Sequence, residues 1–218
     1  MTKFRSSLRT SLARAAAAGT LASAVLPAAA TAQAPATAKR PMTFIDMQHI
    51  RQAAAPTPSP DGRRLLYTLS TPDWKEAKRQ TDVYLVSVEQ GVSSTKQMTF
   101  TKDKNETAPR WARDGSFFVF SSNREAPASS ATQAQLYAMR ADGGEARRIT
   151  DAKDGVSTFA FTHDGKWLIY RAGKSGEEQL HRMTVAGIDS AKPQQITKQS
   201  TGVGTWRSSP DSRRIYFA

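Results

Sequence analysis

Short apolar runs recur along the chain at nearly constant distance. Leu65-Leu66-Tyr67, Phe118-Val119-Phe120, Leu168-Ile169-Tyr170 and Ile215-Tyr216-Phe217 each begin four residues after an aspartate, namely Asp61, Asp114, Asp164 and Asp211. The aspartates stand 53, 50 and 47 residues apart. The first three precede a glycine (Gly62, Gly115, Gly165), and Ser212 takes that place in the fourth. A second set of runs follows as Val83-Tyr84-Leu85-Val86, Leu136-Tyr137-Ala138-Met139 and Leu180-His181-Arg182-Met183, and a third as Met98-Thr99, Ile149-Thr150 and Ile196-Thr197. Unbroken apolar triplets of this length suit strands buried on both faces.

Each period therefore holds a strand before the Asp turn, one after it, and two more. Four short strands in about 50 residues are the pattern of a β-propeller blade. The expected fold is all-β: a partial propeller of about three and a half four-stranded blades, at about 55–105, 106–154 and 155–200, with a partial blade at 201–218. The Asp-Gly pairs have a mechanical role here. The Asp side chain bonds the backbone two residues on and Gly accepts a positive φ, so the pair closes the turn between the first two strands. Gly62, Gly115 and Gly165 are thus read as turn residues and not as phosphate binders.

Ahead of the repeats, Thr43 and Asp46 have capping-box spacing, and Phe44, Met47 and Ile50 share one helical face. A short N-terminal helix is predicted over 42–54, closed off by Pro56, Pro58 and Pro60. Residues 33–41, rich in Ala, Pro and Thr, read as a flexible leader. The first 32 residues carry Lys3, Arg5, Arg9 and Arg14 with no acid, then the largely apolar stretch Ala15–Leu26, then Ala30-Thr31-Ala32. That is the layout of a signal peptide cleaved after Ala32, with an apolar stretch too short for a permanent membrane span. Export to the periplasm or the medium is the expected localisation.

Charge changes the picture less than its size suggests. The 218 residues carry 31 Lys plus Arg against 19 Asp plus Glu, a formal charge of +12. Removing the four bases of the leader leaves +8, scattered singly or in pairs such as Arg63-Arg64, Arg147-Arg148 and Arg213-Arg214 with acids between them. Scattered charge of this kind is a solvated surface, and with export it argues against nucleic acid as a partner. There is no cysteine, so an exported chain of this kind draws its stability from its core alone.

Candidate chemistry is sparse. A nucleophile elbow requires Gly-x-Ser-x-Gly, and the nearest stretch, Gly155-Val156-Ser157, lacks the second glycine. The three histidines are His49, His163 and His181. His163 stands where sister repeats have Pro60, Arg113 and Pro210, and His181 where they have Tyr84 and Tyr137, which marks both as framework substitutions. His49 falls on the short helix, at the surface. No pair has metal-ligand spacing, so no catalytic, metal or cofactor residue is assigned. Glu125, in Ser121-Ser122-Asn123-Arg124-Glu125, could meet a ligand amine at the propeller mouth, with a solvated loop charge as the plainer reading. Trp111, Trp167 and Trp206 flank the Asp anchors and are read as blade packing, whereas Trp74 has no evident packing role.

The residues from Met42 to Gly62, with Thr43-Phe44-x-Asp46 leading through Pro56 to Ser59-Pro60-Asp61-Gly62, resemble the start of secreted bacterial members of the prolyl oligopeptidase family. Acylaminoacyl-peptidase and dipeptidyl-peptidase relatives are the most similar. Lys75–Val86 is similar to their first blade and Trp111-Ala112-Arg113-Asp114-Gly115 to their second. The resemblance implies a propeller of seven or eight blades covering an α/β-hydrolase domain, whose Ser, Asp and His cleave short peptides by acyl transfer while the propeller restricts access. No hydrolase motif lies in this chain, so the expectation is the front part of a longer peptidase, with its own C-terminal hydrolase domain and short peptides as partners. The rival is a TolB-like periplasmic propeller that binds protein without catalysis. The 28 residues between Ala32 and Asp61 are few for the separate N-terminal domain of that class. A propeller lyase or sugar-binding enzyme would need clustered His or acids, which the sequence lacks.

Overall fold

Described by the computed structural model are residues 39–126 and 133–218, and its helix and strands all fall within Met42–Ala218. The expected signal peptide and most of the expected leader lie outside the described residues. Helix α1 (Phe44–Gln48) comes first, followed by a series of antiparallel meanders. Blade 1 is β1 (Gln52–Pro58), β2 (Arg64–Asp73), β3 (Lys78–Ser87) and β4 (Gly91–Gln97). Blade 2 is β5 (Glu106–Trp111), β6 (Phe117–Ser122), β7 (Gln135–Arg140) and β8 (Arg147–Arg148). Blade 3 is β9 (Val156–Phe161), β10 (Trp167–Ala172), β11 (Gln179–Thr184) and β12 (Gln194–Gln195). A two-stranded sheet, β13 (Trp206–Ser208) with β14 (Ile215–Phe217), follows.

The Asp turns are built alike. Asp61, Asp114, Asp164 and Asp211 each accept, through Oδ1, the backbone N–H two residues on, at 3.0–3.1 Å. Gly62, Gly115 and Gly165 have φ of 69–72°, and Ser212 reaches 58°. In three of the four turns a buried hydroxyl two residues before the Asp (Ser59, Thr162, Ser209) donates to the carboxylate at 2.5–2.6 Å and accepts the N–H of the residue three past the Asp. Blade 2 has Ala112 at that position, and the Ser116 hydroxyl donates to Asp114 instead.

Two expectations need correction. Helix α1 ends at Gln48, not residue 54, although its Thr43/Asp46 capping box forms as predicted. From Gln52 the chain is already strand, and Pro56 and Pro58 lie inside β1. Proline is tolerated there because β1 is an edge strand, where a missing N–H breaks no second ladder. A bulge relieves the pairing between Ala54 and Thr57, with Ala55 at φ 51°. Ala108-Pro109 repeats the device in β5, again with φ 51° and a register shift.

The second correction concerns the Met/Ile-Thr pairs, which lie just past the fourth strand. The N–H of Met98, Ile149 and Ile196 still bonds the third strand, to the carbonyls of Val83, Leu136 and Leu180. Thr99, Thr150 and Thr197 then accept the N–H of those same three residues at 2.9 Å each. The recurrent threonine is a clamp holding the outer chain to β3, β7 or β11.

Alternate residues of the central strands face opposite neighbours. Phe118, Phe120, Tyr137 and Met139 pack with Leu66, Val83 and Met98 of blade 1. Val119, Leu136 and Ala138 pack with Leu168, Tyr170 and Met183 of blade 3. The core therefore lies between blades, and burying one such side chain contributes about 1.5–3 kcal/mol.

Candidate functional site

The strands carry their Asp turns at one end. At the other end, where β5 begins and β6 passes to β7, charged side chains are drawn into the interior. Glu106 opens β5 and is fully buried. Its Oε1 accepts from Ser122 Oγ at 3.1 Å and Arg124 Nη2 at 3.3 Å, while Oε2 has no hydrogen-bond partner. The Arg124 guanidinium lies over the rings of Tyr137, 4.6 Å from its centroid, and Phe120, at 5.3 Å. Those two rings stack at 5.9 Å and 24°.

Further out, Arg148 ties the loops together. It donates to Glu125 at 2.7 Å, to the Thr150 carbonyl at 2.7 Å, and to Asp151. Burial first, then the Glu125 carboxylate, pushes the Tyr137 phenol up to about 12, and its buried hydroxyl has no partner in hydrogen-bond geometry. Asp82 of β3 completes the cluster. It is buried, takes Gln80 Nε2 at 3.2 Å, and burial raises both it and Glu106 above the usual carboxylate range.

Such an arrangement can fix charge and shape at the blade 1–blade 2 junction and present polar groups at its rim. It contains acids, guanidinium groups and a phenol, but no activated nucleophile. Glu125, the candidate amine binder, is joined to Arg148.

The other candidates are not brought together. His49 caps α1 at the surface, with Nδ1 2.9 Å from the Ile45 carbonyl. His163 sits in the β9–β10 turn, where its carbonyl accepts from Arg113. His181 stacks on Tyr170 at 5.2 Å and 14°, as Tyr84 stacks on Tyr67 and Tyr137 on Phe120. Burial lowers the His181 pKa, and the ring serves as the aromatic rung of blade 3. Ser157 Oγ is held by Arg171 Nε at 2.8 Å, a structural bond.

Of the tryptophans, Trp111 is buried edge-on to Phe118 and donates to the Thr57 carbonyl at 3.0 Å. Trp167 carries Arg182 over its ring at 4.3 Å, and Trp206 donates to Thr158 at 3.2 Å. Trp74 is 57% exposed at the β2–β3 tip.

Sequence reasoning passed over Asp82, Glu106, Arg124 and Tyr137 as a group. One signal was available: Glu106 opens the first strand of its blade, where the sister blades begin with Gln52 and Val156.

Comparison with known proteins fits this architecture. Residues 47–218 match the model of the TolB β-propeller domain. The chain is 30% identical over 159 residues to the uncharacterized peptidase YuxL of Bacillus subtilis, covering 72% of this chain and 23% of the relative. It is 29% identical over 114 residues to dipeptidyl-peptidase 5 of Porphyromonas endodontalis, covering 52% of this chain and 15% of the relative. The chain thus spans less than a quarter of the length of either. Among solved structures, an acylaminoacyl peptidase of Pyrococcus horikoshii superposes with a TM-score of 0.53 at 13% identity, over 71% of this chain and 26% of that one, a likeness of fold. The resemblance to acylaminoacyl- and dipeptidyl-peptidases read from residues 42–62, 75–86 and 111–115 is borne out by these relatives, and the match over 47–218 establishes that the chain belongs to the TolB β-propeller domain family.

Proposed function

We propose that this chain is the N-terminal propeller portion of an exported serine peptidase and that it gates the access of short peptides to an α/β-hydrolase domain. The observation that carries this reading is the 30% identity to a peptidase over 159 residues, 72% of this chain. In the whole enzyme a serine would attack the peptide carbonyl, with histidine as general base and an oxyanion hole stabilising the intermediate. None of those groups is assigned to this chain. Its contribution is steric and electrostatic: a wall of blades that admits small substrates, with fixed charges at one end of the sheets. Export rests on the Lys3–Ala32 leader, and mature protein recovered from the periplasm or medium should begin at Gln33.

The deciding experiment is to read the gene past codon 218 and assay the complete product on peptides of increasing length. Further Asp-Gly repeats leading to Gly-x-Ser-x-Gly, then Asp and His, with turnover falling steeply as peptides lengthen, is the expected result. A frame without a hydrolase domain would sink the peptidase reading. It would favour the second one, a TolB-like propeller that binds a protein partner without catalysis, which the family match itself supports.

A further inference from the structure

In native interiors nearly every buried polar atom has a partner, so the unsatisfied Glu106 Oε2 calls for an explanation. The Thr81 N–H bonds Asn105 Oδ1 at 2.9 Å, which brings the residue that follows each, Asp82 and Glu106, both buried, beside one another. Two carboxylates cannot satisfy each other, because both only accept; one of them becomes a donor when it holds a proton. We propose that Glu106 and Asp82 share one proton and that this proton ties blade 2 to blade 1.

The groups facing the pair favour this arrangement. From the β6–β7 connection comes Arg124, the guanidinium bonded to Glu106. Glu125 and Tyr137 lie beyond it, with Glu125 matched to Arg148. No cation is bonded to Asp82 among the described residues. One guanidinium therefore serves two buried carboxyl groups, leaving one negative charge uncompensated unless a proton is taken up. Gln80 Nε2 donates to Asp82 at 3.2 Å, whereas Glu106 Oε2 has no partner, which assigns the proton to Glu106. Burial above all, and the Asp82 charge with it, raise Glu106 against the lowering by Arg124 and Ser122.

A carboxyl whose folded pKa is raised stabilises the fold fully below its unfolded pKa, and that contribution is lost as pH rises through the folded value. The blade 1–blade 2 junction is thus tightest in acid and loosens toward neutrality. The test is carbon NMR of the chain labelled at glutamate side-chain carboxyls, with the Glu106 signal assigned through its own backbone. Glu106 is expected to titrate above a free glutamate, and D82N to move that titration down by about one pH unit, tenfold in proton affinity. E106Q, which keeps a donor toward Asp82, is expected to flatten the pH dependence of the melting temperature between acid and neutral pH. Titration of wild-type Glu106 at or below the free value would overturn the proposal, since Arg124 would then hold both charges. So would a titration that D82N leaves unmoved, because burial alone would then set it.

Discussion

At the scale of single residues, equivalent positions in the repeats differ in what surrounds them, and that difference is measurable. Gly62 and Gly165 share a left-handed conformation, so alanine at either is strained by about 1–2 kcal/mol. At Gly62 a new Cβ meets nothing within 4 Å, whereas at Gly165 it would lie 2.7 Å from Arg113 Cβ. Thermal melts should rank Gly165→Ala clearly below Gly62→Ala, and equal losses would mean that the turn contact is slack in solution. Arg124→Met should cost about 2–4 kcal/mol, because it leaves the Glu106 carboxyl buried without its cation. Denaturation at several pH values should show that cost growing as pH rises, since the uncompensated group is then ionised. The Asp turns act with the opposite sign. Hydroxyl and backbone donors hold Asp61, Asp164 and Asp211 below the usual carboxylate range. Their stabilisation is present above pH 3.8 and is lost as pH falls through the depressed folded values, so melting temperature should drop on strong acidification. Asp164→Asn should soften that drop.

At the scale of elements, the threonine clamps are the recurring part whose role the sequence conceals. Thr150 Oγ1 accepts the Leu136 N–H and donates to Gln135 Oε1, while Gln135 Nε2 reaches the Ala152 carbonyl. Blade 3 repeats the knot with Thr197, Leu180 and Gln179. Thr150→Val, close in volume, should cost about 1–3 kcal/mol by leaving a buried N–H unpaired, and Thr197→Val a similar amount. Hydrogen exchange at the Leu136 and Leu180 amides would report each loss, and unchanged protection would show that another acceptor takes over. The Met/Ile-Thr spacing was visible in the chain, but it reads as a strand because nothing local reveals that the hydroxyl bonds a residue 14 to 17 positions earlier. Asp turns were legible for the converse reason: their bonds span two residues and glycine marks the positive φ. Pro56 and Pro58 misled because their tolerance depends on β1 lying at a sheet edge, a fact of pairing with β2. The Asp82–Glu106–Arg124 cluster stayed hidden for the same cause, since its members come from two blades and meet only after both have formed.

For the whole molecule, the placement of the core between blades decides how it unfolds. β6 sends Phe118 and Phe120 into one cluster with blade 1 and Val119 into another with blade 3, so no blade encloses apolar side chains of its own to rely on. Such a chain of interfaces stabilises neighbours pairwise, in the manner of repeat proteins. Phe118 is fully buried and touches the blade 1 cluster, so Phe118→Ala should cost about 3–5 kcal/mol. The informative readout is where protection is lost. Amides of β2 and β3 should exchange faster together with those of β6 and β7, although the substitution lies only in blade 2, while β10 and β11 should respond less. If β2 and β3 kept their protection, blade 1 would be standing on its own face, and the junction that Glu106 and Asp82 bridge would not be what holds it.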